Sequence, residues 1–201
     1  MIQQDNFNAR MSVRSALGVL ADIRDDSTIV VTNQGSARVW PLIDEHVLDF
    51  HYNPSTMGGA IPFGLGLALA NSSLHVIVVS GDGALTMNLG SLITVVAAGA
   101  DNLTVVVLDN GIYEVTGGQR TAASVASVDY VALADSVGFP SSCGFGAESL
   151  WRDQAATVMS AVGPRFVSLC VEPALSADMT TSAPPIAKQL VQLSRVITNL
   201  R

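Results

Sequence analysis

The feature that most constrains the fold is an alternation of two kinds of apolar segment along the chain. Short runs rich in valine, isoleucine and leucine are typical of parallel strands that are covered on both faces. Between them lie segments of small and apolar residues, which are typical of helices packed on a sheet. The strand-like runs cover residues 27–32, 74–80, 102–110 and 165–173, and the helix-like segments cover residues 57–72, 88–100, 129–138, 149–163 and 183–200.

Strands that alternate with helices predict βαβ units, in which consecutive parallel strands are joined by right-handed crossovers. We therefore expect an α/β fold with a doubly wound parallel sheet and helices on both of its faces. A chain of 201 residues suits one such domain, so we assign residues 1–201 to a single domain. The tail at residues 178–201 is expected to contribute a helix after its prolines.

Composition narrows the classes of partner. The 17 acidic residues outnumber the 10 basic ones, the net charge is −7, and no basic run is present, so we expect no nucleic-acid partner. No apolar stretch reaches the roughly 18 residues of a membrane-spanning helix, and residues 1–15 lack the apolar core of a signal peptide. We expect no membrane association and a cytoplasmic location, with Cys143 and Cys170 as reduced core thiols.

A carboxylate and an amide lie at the ends of two predicted strands. Asp82 is held between Gly81 and Gly83, and Asn110 ends the following strand. Ligands of parallel sheets bind beyond the carboxyl ends of the strands, so these two oxygen donors are expected to converge. Such donors suit Mg²⁺, glycines allow close backbone approach, and the helix expected to open after Gly83 offers free N–H groups to an anion. The pattern predicts a metal-bridged diphosphate.

A simpler interpretation of the same residues is available from local structure alone. Asp82 can cap the helix that follows it, and Asn110 can make a turn with Gly111. No G-x-x-x-x-G-K-[ST] sequence is present, which argues against an ordinary P-loop.

The GDG triplet, followed after 25 residues by an Asp-Asn pair, resembles the thiamine-diphosphate-binding motif of thiamine-dependent enzymes. The segments that carry the resemblance are STMGGAIPFGLGLALA (55–70), SGDGALTMNLGSL (80–92) and NLTVVVLDNGIYEVTGGQ (102–119). The likeness extends from about Ile29 to Glu172 and corresponds to the diphosphate-binding domain, one half of the usual enzyme. Within that family the chain is similar to the small subunit of sulfopyruvate decarboxylase and the C-terminal half of phosphonopyruvate decarboxylase.

The resemblance implies roles for individual residues. The side chains of Asp82 and Asn110 and the carbonyl of Ile112 would bind Mg²⁺. Met57 would wedge thiamine diphosphate into its bent shape, and the Ser55 carbonyl would accept a proton of its aminopyrimidine. The remaining residues expected to bind the cofactor are Gly81, Gly83, Ala84 and Tyr113, with Gly58 beside Met57, and Gly35 and Ser36 on the other side of the diphosphate.

Some positions depart from the family pattern or stay open. Ala84 stands where the family often has serine, so a side-chain contact to phosphate is missing. Glu114 stands where a small residue is expected, and its carboxylate would repel phosphate unless it points away or pairs with a base. His51 is either an acid/base group that faces the substrate or a loop histidine. Arg38 either binds the acid group of the substrate or pairs on the surface.

The resemblance implies the small subunit of a two-component 2-oxo acid decarboxylase that depends on thiamine diphosphate and Mg²⁺. Its substrate would resemble sulfopyruvate or phosphonopyruvate. In the family, a glutamate from a pyrimidine-binding domain completes the site; the chain has no room for that domain. We therefore expect a partner subunit that carries it, in a hetero-oligomer of α₂β₂ size or larger.

Other functions are compatible with the same residues. The chain can be a carboligase subunit that resembles acetolactate synthase, or a non-catalytic regulatory module that retains the cofactor site. A generic Rossmann nucleotide binder is disfavoured because no G-x-G-x-x-G follows the first strand.

Overall fold

The computed structural model describes residues 9–174 and 184–199, and in this part of the chain six parallel strands form one sheet. The strands are β1 (Thr28–Asn33), β2 (Asp49–Tyr52), β3 (His75–Gly81), β4 (Leu103–Asp109), β5 (Ile112–Tyr113), β6 (Gln119–Arg120), β7 (Ser141–Phe145) and β8 (Arg165–Cys170), of which β5 and β6 form a separate antiparallel hairpin. The helices are α1 (Val13–Ile23), α2 (Ser36–Val39), α3 (Ala60–Ala70), α4 (Asp82–Met87), α5 (Gly90–Ala98), α6 (Ala122–Ala126), α7 (Tyr130–Val137), α8 (Glu148–Met159) and α9 (Ile186–Asn199), with 3₁₀ turns at Trp40–Leu42 and Glu114–Thr116.

The order of strands in the sheet is β2-β1-β3-β4-β8-β7. From β1 the chain moves outward to the edge strand β2 and then returns to the other side of β1 as β3. The strand order therefore reverses between β1 and β3, and the crossovers on the two sides leave a crevice at the carboxyl ends of these strands. Open α/β sheets bind their ligands at this kind of position.

The hydrophobic core lies on both faces of the sheet, as the continuous apolar runs require. In β3, Val76 and Val78 pack on the face that is covered by α3, α5, α7 and α9. Ile77 and Val79 point to the opposite face, where α1 and α8 cover the sheet. Successive strand residues alternate between faces, so a central strand needs an apolar side chain at nearly every position.

The predicted α/β fold, with a parallel sheet covered by helices on both faces, is confirmed. Several boundaries differ by a few residues: the segment predicted as a helix over 57–72 is helical over Ala60–Ala70, and the strand predicted over 165–173 ends at Cys170. The helix after the GDG triplet begins at Asp82 itself, so the expectation that it opens after Gly83 is wrong. Gly99 ends α5 in the left-handed conformation, at φ 62°.

Elements absent from the sequence-based prediction include β2, β7 and α1, besides the short elements α2, β5, β6 and α6. Strands β2 and β7 lie at the two edges of the sheet, where short strands with polar residues or glycine form because a neighbouring strand pairs with them. Helix α1 does have a local sequence signal, which is the amphipathic periodicity of its apolar residues. Ser12 caps it by accepting a hydrogen bond from the Ser15 N–H at 3.0 Å, and its apolar residues line one face.

The C-terminal helix α9 covers the exposed edge of β2. The side-chain oxygen of Gln189 accepts a hydrogen bond from the His51 N–H at 2.7 Å, and its nitrogen donates to the His51 carbonyl at 3.0 Å. A buried glutamine thus replaces the missing neighbouring strand. The helix predicted in the tail is confirmed over Ile186–Asn199, whereas residues 178–183 and 200–201 lie outside the described residues. Among the described helices, none combines the length and the apolar character needed to span a membrane.

Two glycines of α3 give a matched test of how tightly this helix packs on the sheet. A Cβ at Gly64 would overlap the Cγ2 methyl of Val78 in β3, whereas a Cβ at Gly66 would meet no atom within 4 Å. We expect Gly64→Ala to lower the free energy of unfolding by about 1–3 kcal/mol through overpacking. Gly66→Ala should raise it by up to about 1 kcal/mol, since alanine favours the helix. Urea denaturation of the two variants measures both effects, and equal effects would contradict this packing.

Candidate functional site

A cavity of about 200 Å³ lies at the carboxyl ends of β1, β3 and β4, at the point where the strand order reverses. Three segments supply most of its walls: the loop after β1, the junction of β3 with α4, and the residues after β4. It is lined by Val13, Asn33, Gln34, Gly35, Ser36, Met57, Gly81, Asp82, Gly83, Ala84, Met87, Leu108, Asn110, Ile112, Tyr113, Glu114, Val115, Thr116 and Ala174. Most of the predicted site residues therefore lie around one space.

The wall formed by β3 and α4 presents a buried carboxylate. Asp82 is 1% exposed, and its Oδ2 accepts a hydrogen bond from the Thr121 hydroxyl at 3.0 Å. Burial, and then the negative charge of Asp109, raise the pKa of Asp82 to about 6, although the bond from Thr121 opposes this shift. None of the ion pairs among the described residues includes Asp82. Backbone N–H groups of Gly83 and of Asp82 itself also favour the ionised form, but burial outweighs these bonds. A buried carboxylate without a paired charge is unfavourable, so Asp82 favours a bound cation.

The wall after β4 presents an amide oxygen. The Oδ1 of Asn110 accepts a hydrogen bond from the Ile112 N–H at 3.0 Å, which forms the turn that local sequence predicts. A carbonyl oxygen has a second lone pair, so this turn leaves Oδ1 able to bind a metal as well. The turn interpretation and the metal-site interpretation of Asn110 are therefore compatible.

The donor set in the cavity fits Mg²⁺ that is completed by a ligand from outside the chain. A carboxylate and an amide oxygen are hard donors, and Mg²⁺ sites usually add phosphate oxygens and water to one or two carboxylates. Within residues 9–174 and 184–199, no group of three or more His, Cys, Asp or Glu side chains could hold a metal ion by itself. The geometry thus fits a metal shared with an anionic ligand.

Tyr113 closes over the backbone of the GDG triplet. A Cβ placed on Gly83 would lie 2.8 Å from two ring carbons of Tyr113, a distance that real contacts do not reach. Glycine at this position therefore lets the ring pack directly on the main chain. Ala84, the next residue, is buried, so its side chain contributes a small apolar patch to the cavity and no polar contact.

The loop after β1 is fixed by Ser36. The Ser36 hydroxyl accepts a hydrogen bond from the Asn33 N–H at 3.1 Å and donates to the Asn33 carbonyl at 2.8 Å. The next residue of the loop, Gln34, has a φ of 48°, and its amide nitrogen contacts the sulfur of Met57. Met57 thus joins the segment before α3 to the β1 loop, and both line the cavity.

Glu114 points into the cavity region instead of away from it. Its Oε1 accepts a hydrogen bond from the Ala174 N–H at 2.5 Å, and its Oε2 lies 2.9 Å from the position a Cβ would take on Gly35. Burial raises the pKa of Glu114, while the bond from Ala174 and the positive charge of Arg38 lower it. Glu114 therefore connects the β4 side of the cavity with the β1 loop, with the Arg38 guanidinium as its charge partner.

Three predicted site residues lie outside the lining of the cavity. His51 is buried in β2, and its Nδ1 lies 2.9 Å from the Thr32 hydroxyl. Burial is the largest cause that lowers the pKa of His51, so its imidazole is neutral near pH 7. Gly58 packs against Asn88, whose side-chain nitrogen donates to the Gly58 carbonyl at 3.0 Å. Ser55 precedes Met57, and its buried hydroxyl has no hydrogen-bond partner among the described residues.

Sequence reasoning missed residues that hold or line the site. Thr121 holds the carboxylate of Asp82. A threonine before Ala-Ala-Ser is a helix-capping pattern, and this pattern was the sequence signal for Thr121. The structure shows the cap, because the Thr121 hydroxyl oxygen accepts a hydrogen bond from the Ser124 N–H at 3.1 Å. Asn33 and Gln34 line the cavity from β1, and Met87 does so from α4. No local signal marks these three, because their exposure to the cavity depends on how the loops fold.

Residues 31–168 match the family model described as thiamine pyrophosphate enzyme, C-terminal TPP binding domain. The chain belongs to this family. It is 38% identical over 155 residues to a phosphonopyruvate decarboxylase of Streptomyces viridochromogenes, an alignment that covers 77% of this chain and 38% of that protein. Over 88 residues it is 47% identical to sulfopyruvate decarboxylase subunit beta of Methanothermobacter thermautotrophicus, which covers 44% of this chain and 46% of that subunit.

Solved structures agree with this membership at the level of the fold. The TPP-binding domain described here superposes on benzoylformate decarboxylase from Polynucleobacter necessarius with a TM-score of 0.69 at 17% sequence identity, over 87% of this chain and 36% of that one. Identity this low supports the fold alone. Each of the three alignments covers less than half of the relative's own length. The predicted resemblance to thiamine-dependent enzymes is confirmed.

The bond between Thr121 and Asp82 predicts a coupling between pH and stability in this domain. Thr121→Val removes a hydrogen bond that favours the ionised carboxylate, so the pKa of Asp82 should rise further above about 6. A raised carboxyl pKa destabilises the folded chain as the pH rises through it, so the variant should fall further below the wild type at pH 8 than at pH 5.

Carbon-13 NMR titration of the Asp82 carboxyl and urea denaturation at pH 5 and pH 8 measure the two effects. Thr121→Ser is the matched control, since it keeps a hydroxyl that reaches Asp82 and caps α6. An unchanged Asp82 titration in Thr121→Val would show that the hydrogen bond does not influence the carboxylate.

Proposed function

We propose that this chain binds the Mg²⁺-diphosphate end of thiamine diphosphate and is the small subunit of a 2-oxo acid decarboxylase. The observation that carries the proposal is the buried carboxylate of Asp82, which lines one cavity with the Asn110 amide in a domain of the thiamine pyrophosphate enzyme family. The cofactor, when bound, supplies the carbon nucleophile that adds to a 2-oxo acid and the electron sink for the loss of CO₂.

In this proposal the metal is held by the side chains of Asp82 and Asn110 and by the carbonyl of Ile112. Thr121 holds Oδ2 of Asp82 in place and so fixes the orientation of the carboxylate. The residues proposed to contact the diphosphate are Gly35, Ser36, Gly81, Gly83, Ala84 and Tyr113, and those proposed to contact the rest of the cofactor are Ser55, Met57 and Gly58.

The side chains around the cavity have further tasks that follow from their contacts. Tyr113 covers the Gly83 backbone and excludes water from that side of the diphosphate. Met57, held against the Gln34 amide, is placed to limit the space open to the cofactor and so to favour its bent shape. Glu114 stays engaged with Ala174 and Arg38, which reduces its repulsion of a phosphate group.

A partner subunit with a pyrimidine-binding domain and its glutamate is part of the proposal. The cavity of about 200 Å³ is smaller than the roughly 300–1,000 Å³ of a complete small-molecule site. The rim of the cavity includes an exposed apolar side chain, since Met87 lines the cavity and is 52% exposed. A relative named as a beta subunit also supports a two-subunit enzyme. The smallest assembly that we propose is α₂β₂, a pair of heterodimers.

The proposed substrate is a small 2-oxo acid with a second anionic group, in the class of sulfopyruvate and phosphonopyruvate. The names of the relatives support this class. Near the cavity, Arg38 interacts with Glu114, and the Arg120 guanidinium donates to the Ser124 carbonyl at 2.9 Å. The partner subunit therefore has to supply much of the positive charge that such a substrate needs.

Titration of thiamine diphosphate with Mg²⁺ into the purified chain tests the proposal most simply. Asp82→Asn should lower cofactor affinity by at least about tenfold, because a charged metal ligand becomes neutral. Wild-type affinity should fall below about pH 6, where Asp82 is protonated, and level off above it. Asp153→Asn, on the exposed face of α8, is the control for a lost charge. Equal affinity of Asp82→Asn and the wild type would refute the metal site.

Met57 gives a second test, in the complex with the partner subunit. Met57→Ala should reduce the rate of CO₂ release from a 2-oxo acid by more than it weakens cofactor binding, because the side chain acts on cofactor shape. Met57→Leu keeps the volume and should retain most of the rate. Unchanged turnover in Met57→Ala would remove this residue from the site. Products in which the substrate is joined to an aldehyde would identify a carboligase instead.

A further inference from the structure

The segment that carries Met57 is held at the end of α4 by Asn88. The side-chain nitrogen of Asn88 donates a hydrogen bond to the Gly58 carbonyl at 3.0 Å. These two residues are 30 positions apart, so the bond joins the chain before α3 to the chain after α4. Asp82 begins the same helix, and Met57 directly precedes Gly58. The bond therefore connects the helix of the proposed metal ligand with the side chain that is proposed to shape the cofactor.

The backbone of Gly58 packs directly on the end of α4. Its φ of 77° lies in the left-handed region, which glycine adopts without strain. A Cβ at this position would lie 2.5 Å from the Cβ of Asn88 and 3.1 Å from the carbonyl oxygen of Ala84. The first of these distances is shorter than real contacts between carbon atoms. The main chain beside Met57 is thus in contact with α4, and the bond from Asn88 fixes its position there.

The backbone of Asn88 is itself fixed by the turn between α4 and α5. Its N–H donates to the Leu85 carbonyl at 3.0 Å. Its carbonyl accepts hydrogen bonds from the Ser91 N–H at 3.0 Å and from the Ser91 hydroxyl at 2.7 Å, and Ser91 is 6% exposed. A side chain that extends from a fixed backbone loses less conformational entropy when it forms a hydrogen bond. Asn88 is therefore well placed to hold Gly58.

Met57 needs such support because its own side chain is flexible. Methionine has three rotatable side-chain bonds and adapts to irregular spaces. The sulfur of Met57 contacts the side-chain nitrogen of Gln34 on the β1 side of the cavity, and this contact restricts the side chain. The bond from Asn88 restricts the adjoining backbone from the α4 side. A residue that has to define the shape of a ligand needs both kinds of support from its surroundings.

We propose that Asn88 is a positioning residue that holds Met57 at the cavity through its hydrogen bond to Gly58. This inference rests on the proposed function and deepens it, because it names the group that keeps the cofactor-shaping side chain in place. Asn88 lies outside the lining of the cavity, so its effect on a ligand has to pass through the residues that it holds. Met57 is proposed to contact the cofactor beyond its diphosphate. Loss of the bond should therefore leave the binding of inorganic diphosphate unchanged.

Methyl NMR of the full chain without ligand tests the positioning step by itself, with the Met57 signal assigned from Met57→Leu. In Asn88→Ala the Met57 methyl signal should shift and narrow, because the residue gains freedom of motion. Asn88→Asp has nearly the same shape, but an ionised carboxylate cannot donate to a carbonyl, so it should give the same change. If Asn88→Ala does not fold, Asn88→Asp still decides.

Ser91→Ala is the matched control for these variants. It removes a hydrogen bond to the backbone of Asn88 and keeps the bond from the Asn88 side chain to Gly58. Its thermal unfolding midpoint should fall, while the Met57 methyl signal keeps its position. A loss of stability alone would therefore not produce the change expected for Asn88→Ala.

The complex with the partner subunit tests the consequence for the cofactor. Asn88→Ala should lower the rate of CO₂ release from sulfopyruvate or phosphonopyruvate about fivefold, the value of one hydrogen bond between neutral groups. The rate should fall by more than the affinity for thiamine diphosphate, and the affinity for inorganic diphosphate with Mg²⁺ should stay within about twofold of the wild type. In a chain that already carries Met57→Ala, Asn88→Ala should change the rate by less than about twofold, because both act through one side chain.

Three results would overturn the assignment, and they can be told apart. A Met57 methyl signal or a rate in Asn88→Ala that matches the wild type refutes the positioning role and leaves the proposed function standing. Rate losses that multiply in the double variant show that Asn88 acts on a residue other than Met57, which also refutes it. If the wild-type complex neither binds thiamine diphosphate nor releases CO₂, the proposed function fails, and the role of Asn88 fails with it.

Discussion

The site depends on a buried carboxylate that forms no ion pair with any other described residue. Asp82 sits at the end of the central strand β3, is 1% exposed, and receives a hydrogen bond from Thr121. Its pKa is raised to about 6 by burial and by the charge of Asp109. A fold that retains such a group gives up stability at neutral pH. Binding of a metal ion with an anionic ligand would recover it, and the chain's membership of the thiamine pyrophosphate enzyme family identifies that ligand class.

The sheet restricts where such polar groups can lie. Its central strands are covered on both faces, so along β3 the side chains from Val76 to Val79 are apolar and buried. Polar residues are tolerated where the strands end, and the reversal of strand order between β1 and β3 opens a crevice there. Asn33, Asp82 and Asn110 come together because each one ends or directly follows a strand.

Much of the fold was predictable because central parallel strands carry their own signal. The runs that became β1, β3, β4 and β8 are continuous and apolar, and helix ends such as Gly99 follow local rules. The edge strands β2 and β7 were not predictable in this way. His51 in β2, for example, is held by Gln189 from a helix 138 residues further along the chain, and no local pattern encodes such a pairing.

The same distinction applies to the site. Asp82 and Asn110 were predictable because the spacing of GDG and Asp-Asn is a property of the sequence. Thr121 was not, since its hydrogen bond to Asp82 joins residues 39 positions apart and forms only in three dimensions. Ser36 was predictable from its position after β1, and its bonds to the backbone of Asn33 are visible only in three dimensions.

The most direct test of the central claim is a crystal structure of the chain with thiamine diphosphate and Mn²⁺, which binds the same kind of oxygen donors as Mg²⁺ and is visible by anomalous scattering. The account predicts one anomalous peak between Asp82 and Asn110, with the diphosphate completing the coordination of the metal. A metal bound elsewhere, or a diphosphate bound away from the GDG triplet, would contradict it.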